Sequence, residues 1–211
     1  MDTASLEKKF LADTDRDSDY FGLIHAMIEA GELTAIPGIY QKVEKEISEE
    51  TAPPAKPVKF GTSGWRGILG KEINCRSVEQ VTMAICSIYT DPATISGLSP
   101  LLGIAEPDEA RSRGCLIGHD NRFGGELLAR RAAEVLSGEG FRVHYAGEST
   151  TGVLSAALLE LNGAFSINLT PSHNPLDYGG FKFNAADGGP AQPQLTGLIG
   201  ERAREIIANN K

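Results

Sequence analysis

The chain is poor in the residues that mark several kinds of protein. Its three cysteines, Cys75, Cys86 and Cys115, are too few and too widely spaced for a metal cluster or a disulfide framework. Such sparing use of cysteine fits a reducing compartment. No apolar run approaches the roughly 18 residues that would suggest a membrane span. The first ten residues, with Glu7, Lys8 and Lys9, lack the apolar core of a signal peptide. A cytoplasmic protein without a membrane partner is therefore expected. Basic residues are outnumbered, 20 Lys and Arg against 28 Asp and Glu, for a net charge of -8. That balance argues against a general nucleic-acid binder, which needs a basic face, but a few local cations can still hold a small anion. A Gly-Lys-Ser/Thr phosphate loop and a Gly-x-Ser-x-Gly nucleophile elbow are also missing.

What remains is an ordinary globular composition, 41% hydrophobic and 23% charged. Residues 1–50 read as a helical N-terminal extension, with Phe21, Ile24, Met27 and Ile28 at helical spacing. The run Asp13-Thr14-Asp15-Arg16-Asp17-Ser18-Asp19 lacks the glycine and terminal glutamate of a calcium loop and reads as a solvated acidic linker. Residues 51–57, with Pro53, Pro54 and Pro57, interrupt any helix and mark the expected domain boundary. From residue 58 to 211 helices and strands alternate. Ser77 and Gln80 have capping-box spacing ahead of a helix carrying Val78, Val81, Ile85 and Ile88. Asp91 to Arg113, rich in Pro, Gly and Ser, reads as a long loop or insertion. Strands are expected at 115–118, 141–146, 164–169 and 180–184, with helices at 124–138, 152–162 and 194–209. The 152–162 helix is expected to turn Val153, Leu154, Ala157, Leu158 and Leu161 inward. This alternation predicts a three-layer α/β/α fold with a mixed, mostly parallel sheet. Ligands of such sheets gather beyond the carboxyl ends of strands, which puts the loops after 115–118 and 164–169 on one edge.

Three segments carry chemistry. Thr170-Pro171-Ser172-His173-Asn174-Pro175 holds a hydroxyl between a proline-stiffened entry and an Asn-Pro exit, just past the apolar run 164–169. Ser172 there can serve as a nucleophile or a phosphate carrier. Neighbours in an extended segment point to opposite sides, so His173 is badly placed to act as its base, which weighs against a serine hydrolase. Phe60-Gly61-Thr62-Ser63-Gly64-Trp65-Arg66-Gly67 concentrates glycines, hydroxyls and a guanidinium. Glycines let backbone N–H groups approach an anion, and Arg66 can grip phosphate through paired hydrogen bonds. In Tyr178-Gly179-Gly180-Phe181-Lys182-Phe183-Asn184, Lys182 faces opposite to the two phenylalanines and is suited to proton transfer if partly desolvated.

With Gly118-His119-Asp120-Asn121-Arg122, these segments resemble the α-D-phosphohexomutase superfamily, the phosphoglucomutases and phosphomannomutases, in order and approximate spacing over residues 58–211. The resemblance implies that Ser172 is the phosphoserine, that Arg66 and His173 contact its phosphoryl group, and that Lys182 is the general acid or base. It also implies that Arg122 and Asn174 support the loop and, with Thr62, Ser63 and Trp65, belong to the phosphate-binding set. The implied reaction moves a phosphoryl group between the C1 and C6 positions of a hexose phosphate. Mg²⁺ would sit on the Ser172 phosphate, with its other ligands outside this chain.

Two departures stand out: Pro171 occupies a position where the family more often has alanine, and the family's Thr-Pro segment is replaced by Ser149-Thr150-Thr151-Gly152. Relatives of this kind look like four-domain enzymes, and this sequence corresponds to the first, phosphoserine domain. The Asp-Gly-Asp-x-Asp-Arg metal loop and the sugar-selecting domains of such enzymes are absent from it. The fragment is therefore expected to be inactive without its downstream domains. The alternative expectation is a non-catalytic phosphate-binding or assembly module.

Overall fold

The structure, a computed structural model, describes residues 2–62 and 64–209; Ser63, expected among the phosphate-binding residues, lies outside them. Three helices come first: α1 (Thr3–Phe10), α2 (Tyr20–Ala30) and α3 (Ile36–Glu49). The acidic run between α1 and α2 is used for capping. Asp19 accepts from Gly22 N to start α2, and Asp15 accepts from the Tyr20 hydroxyl at 2.6 Å. Ile28, expected on the apolar face of α2, is 56% exposed, while Leu23, Ile24 and Met27 are buried.

Strand β1 (Trp65–Ile68) follows, then α4 (Cys75–Thr90). The capping box of α4 is Asn74 with Ser77, nearly one turn earlier than the expected Ser77–Gln80 pair: Ser77 N donates to Asn74 Oδ1, and Asn74 N donates back to Ser77 Oγ. Asp91 to Arg113 is not a loop but two helices, α5 (Pro92–Leu102) and α6 (Pro107–Arg113). Their leading prolines stand in the first turn, where a missing N–H costs nothing, so they start helices rather than break them.

The remaining elements are β2 (Cys115–His119), α7 (Gly125–Gly138), β3 (Val143–Glu148), α8 (Thr151–Glu160), β4 (Phe165–Leu169), β5 (Tyr178–Ala185) and α9 (Pro193–Ala208). The sheet order is β1-β5-β4-β2-β3; β4, β2 and β3 run parallel, and β5 is antiparallel to both β4 and β1. The α/β fold with its mixed sheet and preceding helices is thus the expected one.

The two faces of the sheet differ. Phe165, Ile167 and Leu169 pair in register with Ala185, Phe183 and Phe181, and these side chains join the large core that also takes in Val81, Leu128, Leu195, and Ile39, Val43 and Ile47 of α3. The opposite face has a far smaller apolar cluster, Leu116 with Leu154 and Leu158 of α8. Elsewhere α8 meets the sheet through polar pairs, such as Asn184 Nδ2 donating to Ser155 Oγ at 3.1 Å. The expected inward face of α8 is therefore too wide. Val153 and Leu161 are 58% and 52% exposed, because one short helix over a partly polar sheet face can bury only a narrow stripe.

Candidate functional site

The site lies at the carboxyl ends of β2 and β4. Beyond β4 the chain turns sharply, and Ser172 takes a left-handed backbone conformation at φ 64°. Non-glycine residues enter that region at a cost, so other contacts must hold it. Ser172 N donates to Thr170 Oγ1 at 3.0 Å, and the Thr170 hydroxyl donates to Asp120 Oδ2 at 2.5 Å. Arg122 supplies the rest: its guanidinium donates to the carbonyls of Ser172, Asn174 and Pro175 at 3.0, 2.5 and 2.9 Å. Asp120 in turn accepts from Arg122 N at 3.1 Å. The two loops form one unit that leaves the Ser172 side chain exposed.

Gly180 makes the turn possible. A Cβ there would collide with Thr170 O and lie 2.8 Å from Pro171 Cα, so only glycine lets β5 pass under the loop. Gly64 is comparable: at φ 116°, a Cβ would stand 2.5 Å from Phe181 O.

Lys182 and Arg66 share the sheet face covered by α8. Arg66 pairs with Gly180, and Lys182 with Asn168, while Trp65 and Phe181 point into the main core. Lys182 is half-buried beside a cleft of about 760 Å³ whose lining includes Ser172, Asp120, Arg122, Thr151 and Asn168. Burial holds the Lys182 ammonium below the ordinary lysine range, the nearby Arg66 charge pushes it the same way, and Asp120 opposes them. That direction enlarges the neutral fraction that can accept a proton.

The structure therefore brings Ser172, Lys182 and Arg122 together around one cleft, with Arg66 near enough for Lys182 to feel its charge. Arg122 is occupied by three loop carbonyls, so its placement is that of a brace. Asn174 contributes its carbonyl to that brace, and its Oδ1 is buried with no partner among the described residues. His173 and Thr62 are exposed and lie outside the cleft lining. Trp65, expected in the phosphate-binding set, is 2% exposed in the core on the opposite face, where its indole packs rather than meets an anion. Sequence reasoning passed over Thr151 and Asn168. The available signal was the alternation of Ser166 and Asn168 with the apolar residues of β4. Among the described residues no group of three or more His, Cys, Asp or Glu is placed to hold a metal ion.

Comparison with known proteins converges on one group. The family description "Phosphoglucomutase/phosphomannomutase, alpha/beta/alpha domain I" matches residues 57–210. The chain is 32% identical over 161 residues to a phosphoglucomutase of Komagataeibacter xylinus, covering 72% of this chain and 26% of that protein. It is 30% identical over 129 residues to a phosphoglucosamine/phosphogalactosamine mutase of Sulfurisphaera tokodaii, covering 61% of this chain and 24% of that one. Among solved structures, a putative phosphomannomutase from Thermus thermophilus superimposes with a TM-score of 0.56 at 30% identity, over 70% of this chain and 30% of its own. The chain spans about a quarter of the length of these curated relatives.

Proposed function

The chain belongs to the phosphoglucomutase/phosphomannomutase family as its α/β/α domain I, and from that premise we propose that Ser172 carries the phosphoryl group of a hexose-phosphate mutase. The observation that supports this most is the braced left-handed turn, which presents an exposed hydroxyl over the cleft that Lys182 enters.

In this reading a sugar hydroxyl oxygen attacks the phosphorus of phospho-Ser172, the P–Oγ bond breaks, and Lys182 takes the hydroxyl proton. After the bisphosphate reorients, Ser172 Oγ attacks the other phosphoryl group, and Lys182 returns the proton to the sugar oxygen released. Charge on the phosphoryl group in flight is met by Arg66 and by His173 at the loop tip, because such transfer depends on electrostatic stabilisation and positioning. Arg122 keeps the turn fixed. A magnesium ion supplies further charge neutralisation in this chemistry, but the donor set of this chain does not fit one: no carboxylate cluster accompanies Ser172 among the described residues. Its ligands, and the surfaces that select glucose, mannose or an amino sugar, would have to come from outside this chain.

The test is intact-mass analysis of the purified chain after incubation with glucose 1,6-bisphosphate, with glucose 1-phosphate isomerisation followed in parallel. One phosphoryl group on Ser172, lost in Ser172→Ala, is expected, with negligible turnover by the 211-residue chain alone. A protein joining this domain to the remaining family domains that kept full mutase activity as Ser172→Ala would overturn the assignment.

A further inference from the structure

We propose that Thr151 and Asn168 form a polar cradle that positions the Lys182 ammonium beside Ser172. This role rests on the reading of Lys182 as the proton carrier, but the cradle itself can be tested separately. Thr151 is the first residue of α8. Proline at that helix position would supply neither hydroxyl nor N–H. Here the Thr151 Oγ1 accepts from Asn168 Nδ2 at 3.0 Å and from Lys182 Nζ at 3.4 Å. One hydroxyl therefore ties a helix start, a central strand and the lysine together.

Asn168 is 2% exposed, an expensive place for an amide, and its Oδ1 has no partner among the described residues. Its directly paired cross-strand neighbour is Lys182, on the same face of the sheet. Thr151 accepts one of the three ammonium donors, and Asn168, through its Nδ2 bond, fixes the Thr151 hydroxyl that does so.

The groups facing Lys182 make the cradle's sign definite. Burial, Arg66 and the positive end of α8 disfavour the ammonium, while Asp120 favours it; Glu148 and Arg122 line the same cleft. Thr151 Oγ1 accepts from the charged form and therefore helps to retain it. Removing that oxygen leaves the opposing influences in place, and the lysine should lose its proton at lower pH.

Competitive acetic anhydride labelling across a pH series, with the Lys182 peptide read by mass spectrometry, tests this on the intact chain. Thr151→Val is expected to move the labelling midpoint to lower pH, raising the reactive fraction near pH 8 roughly threefold to tenfold, the span of one hydrogen bond, with the high-pH plateau unchanged. Asn168→Leu should shift the midpoint the same way, and Thr151→Ser should keep the parent profile. Thr151→Pro removes the same hydroxyl at a position that suits proline, so it serves if the valine variant folds poorly. A midpoint equal to the parent's in the folded Thr151→Val or Thr151→Pro chain, or a change in the plateau alone, overturns the cradle. Failure of the mutase reading shows differently: phosphoryl transfer by Ser172 would survive Lys182→Ala while the labelling shifts persist.

Discussion

Ser172 is held in an unfavourable backbone conformation by Arg122, Asp120 and Thr170. Arg122 spends its guanidinium on three carbonyls of the turn, and Asp120 fixes both Arg122 N and Thr170. The tightest constraint is at Gly180, where any side chain meets backbone atoms that cannot rotate away. Gly180→Ala is accordingly expected to destabilise the fold by about 1–3 kcal/mol, the usual cost of overpacking, and to lower Ser172 phosphorylation together with it. A denaturant midpoint equal to the parent's would show that the turn is not locked in this way. The turn was legible in sequence because Pro171 and Asn174-Pro175 bracket the serine. The left-handed conformation was not, since nothing local distinguishes this serine from one in an ordinary turn; it results from Arg122 and Asp120, some fifty positions earlier.

At the scale of elements, α3 buttresses one loop of the site from outside the sheet. Tyr40 packs tilted against Phe123 with ring centroids 4.9 Å apart, and Ile47 packs at Gly124, where a Cβ would stand 3.2 Å from its Cδ1. Both contacts press on the loop that carries Arg122. Ile47 is fully buried, so Ile47→Ala should cost about 2–5 kcal/mol as a cavity. Ile28→Ala, on the exposed side of α2, should stay within about 0.5 kcal/mol. Equal thermal midpoints for the two variants would mean that the N-terminal helices do not share the core. Helical periodicity announced α2 within a helical N-terminal extension, yet it could not say that α3 docks on the Asp120–Gly125 loop. Asp91 to Arg113 was misread for a complementary reason. Proline and glycine density suggests a loop when counted, but Pro92, Pro107 and Gly103 stand at helix boundaries, where those residues are at home.

For the whole molecule, the alternation of helices and strands from β2 to α9 was readable, whereas β1, set inside a glycine-rich segment, and the inequality of the sheet's two faces were not. That inequality depends on which partners Ser166, Asn168 and Asn184 find, and those of the two asparagines come from α8. The joint between the N-terminal helices and the sheet domain sets a further property of the whole, its dependence on pH. Glu46 of α3 is 8% exposed over Gly70, and its Oε1 has no partner among the described residues. Burial raises its carboxyl from 4.5 to about 7, with Asp15 and Glu50 adding to the rise and Lys71 and Arg16 opposing it. A carboxyl raised on folding binds its proton more tightly in the native state, so its contribution to stability is full below about pH 4.5 and is lost as pH rises through about 7. Glu46→Gln mimics the protonated form at every pH. The variant should therefore match the parent near pH 4.5 and unfold at a higher temperature than the parent at pH 8. Parallel melting curves for the two proteins across that range would mean that Glu46 is solvated at the joint, and that α3 packs less closely on Gly70 than its burial implies.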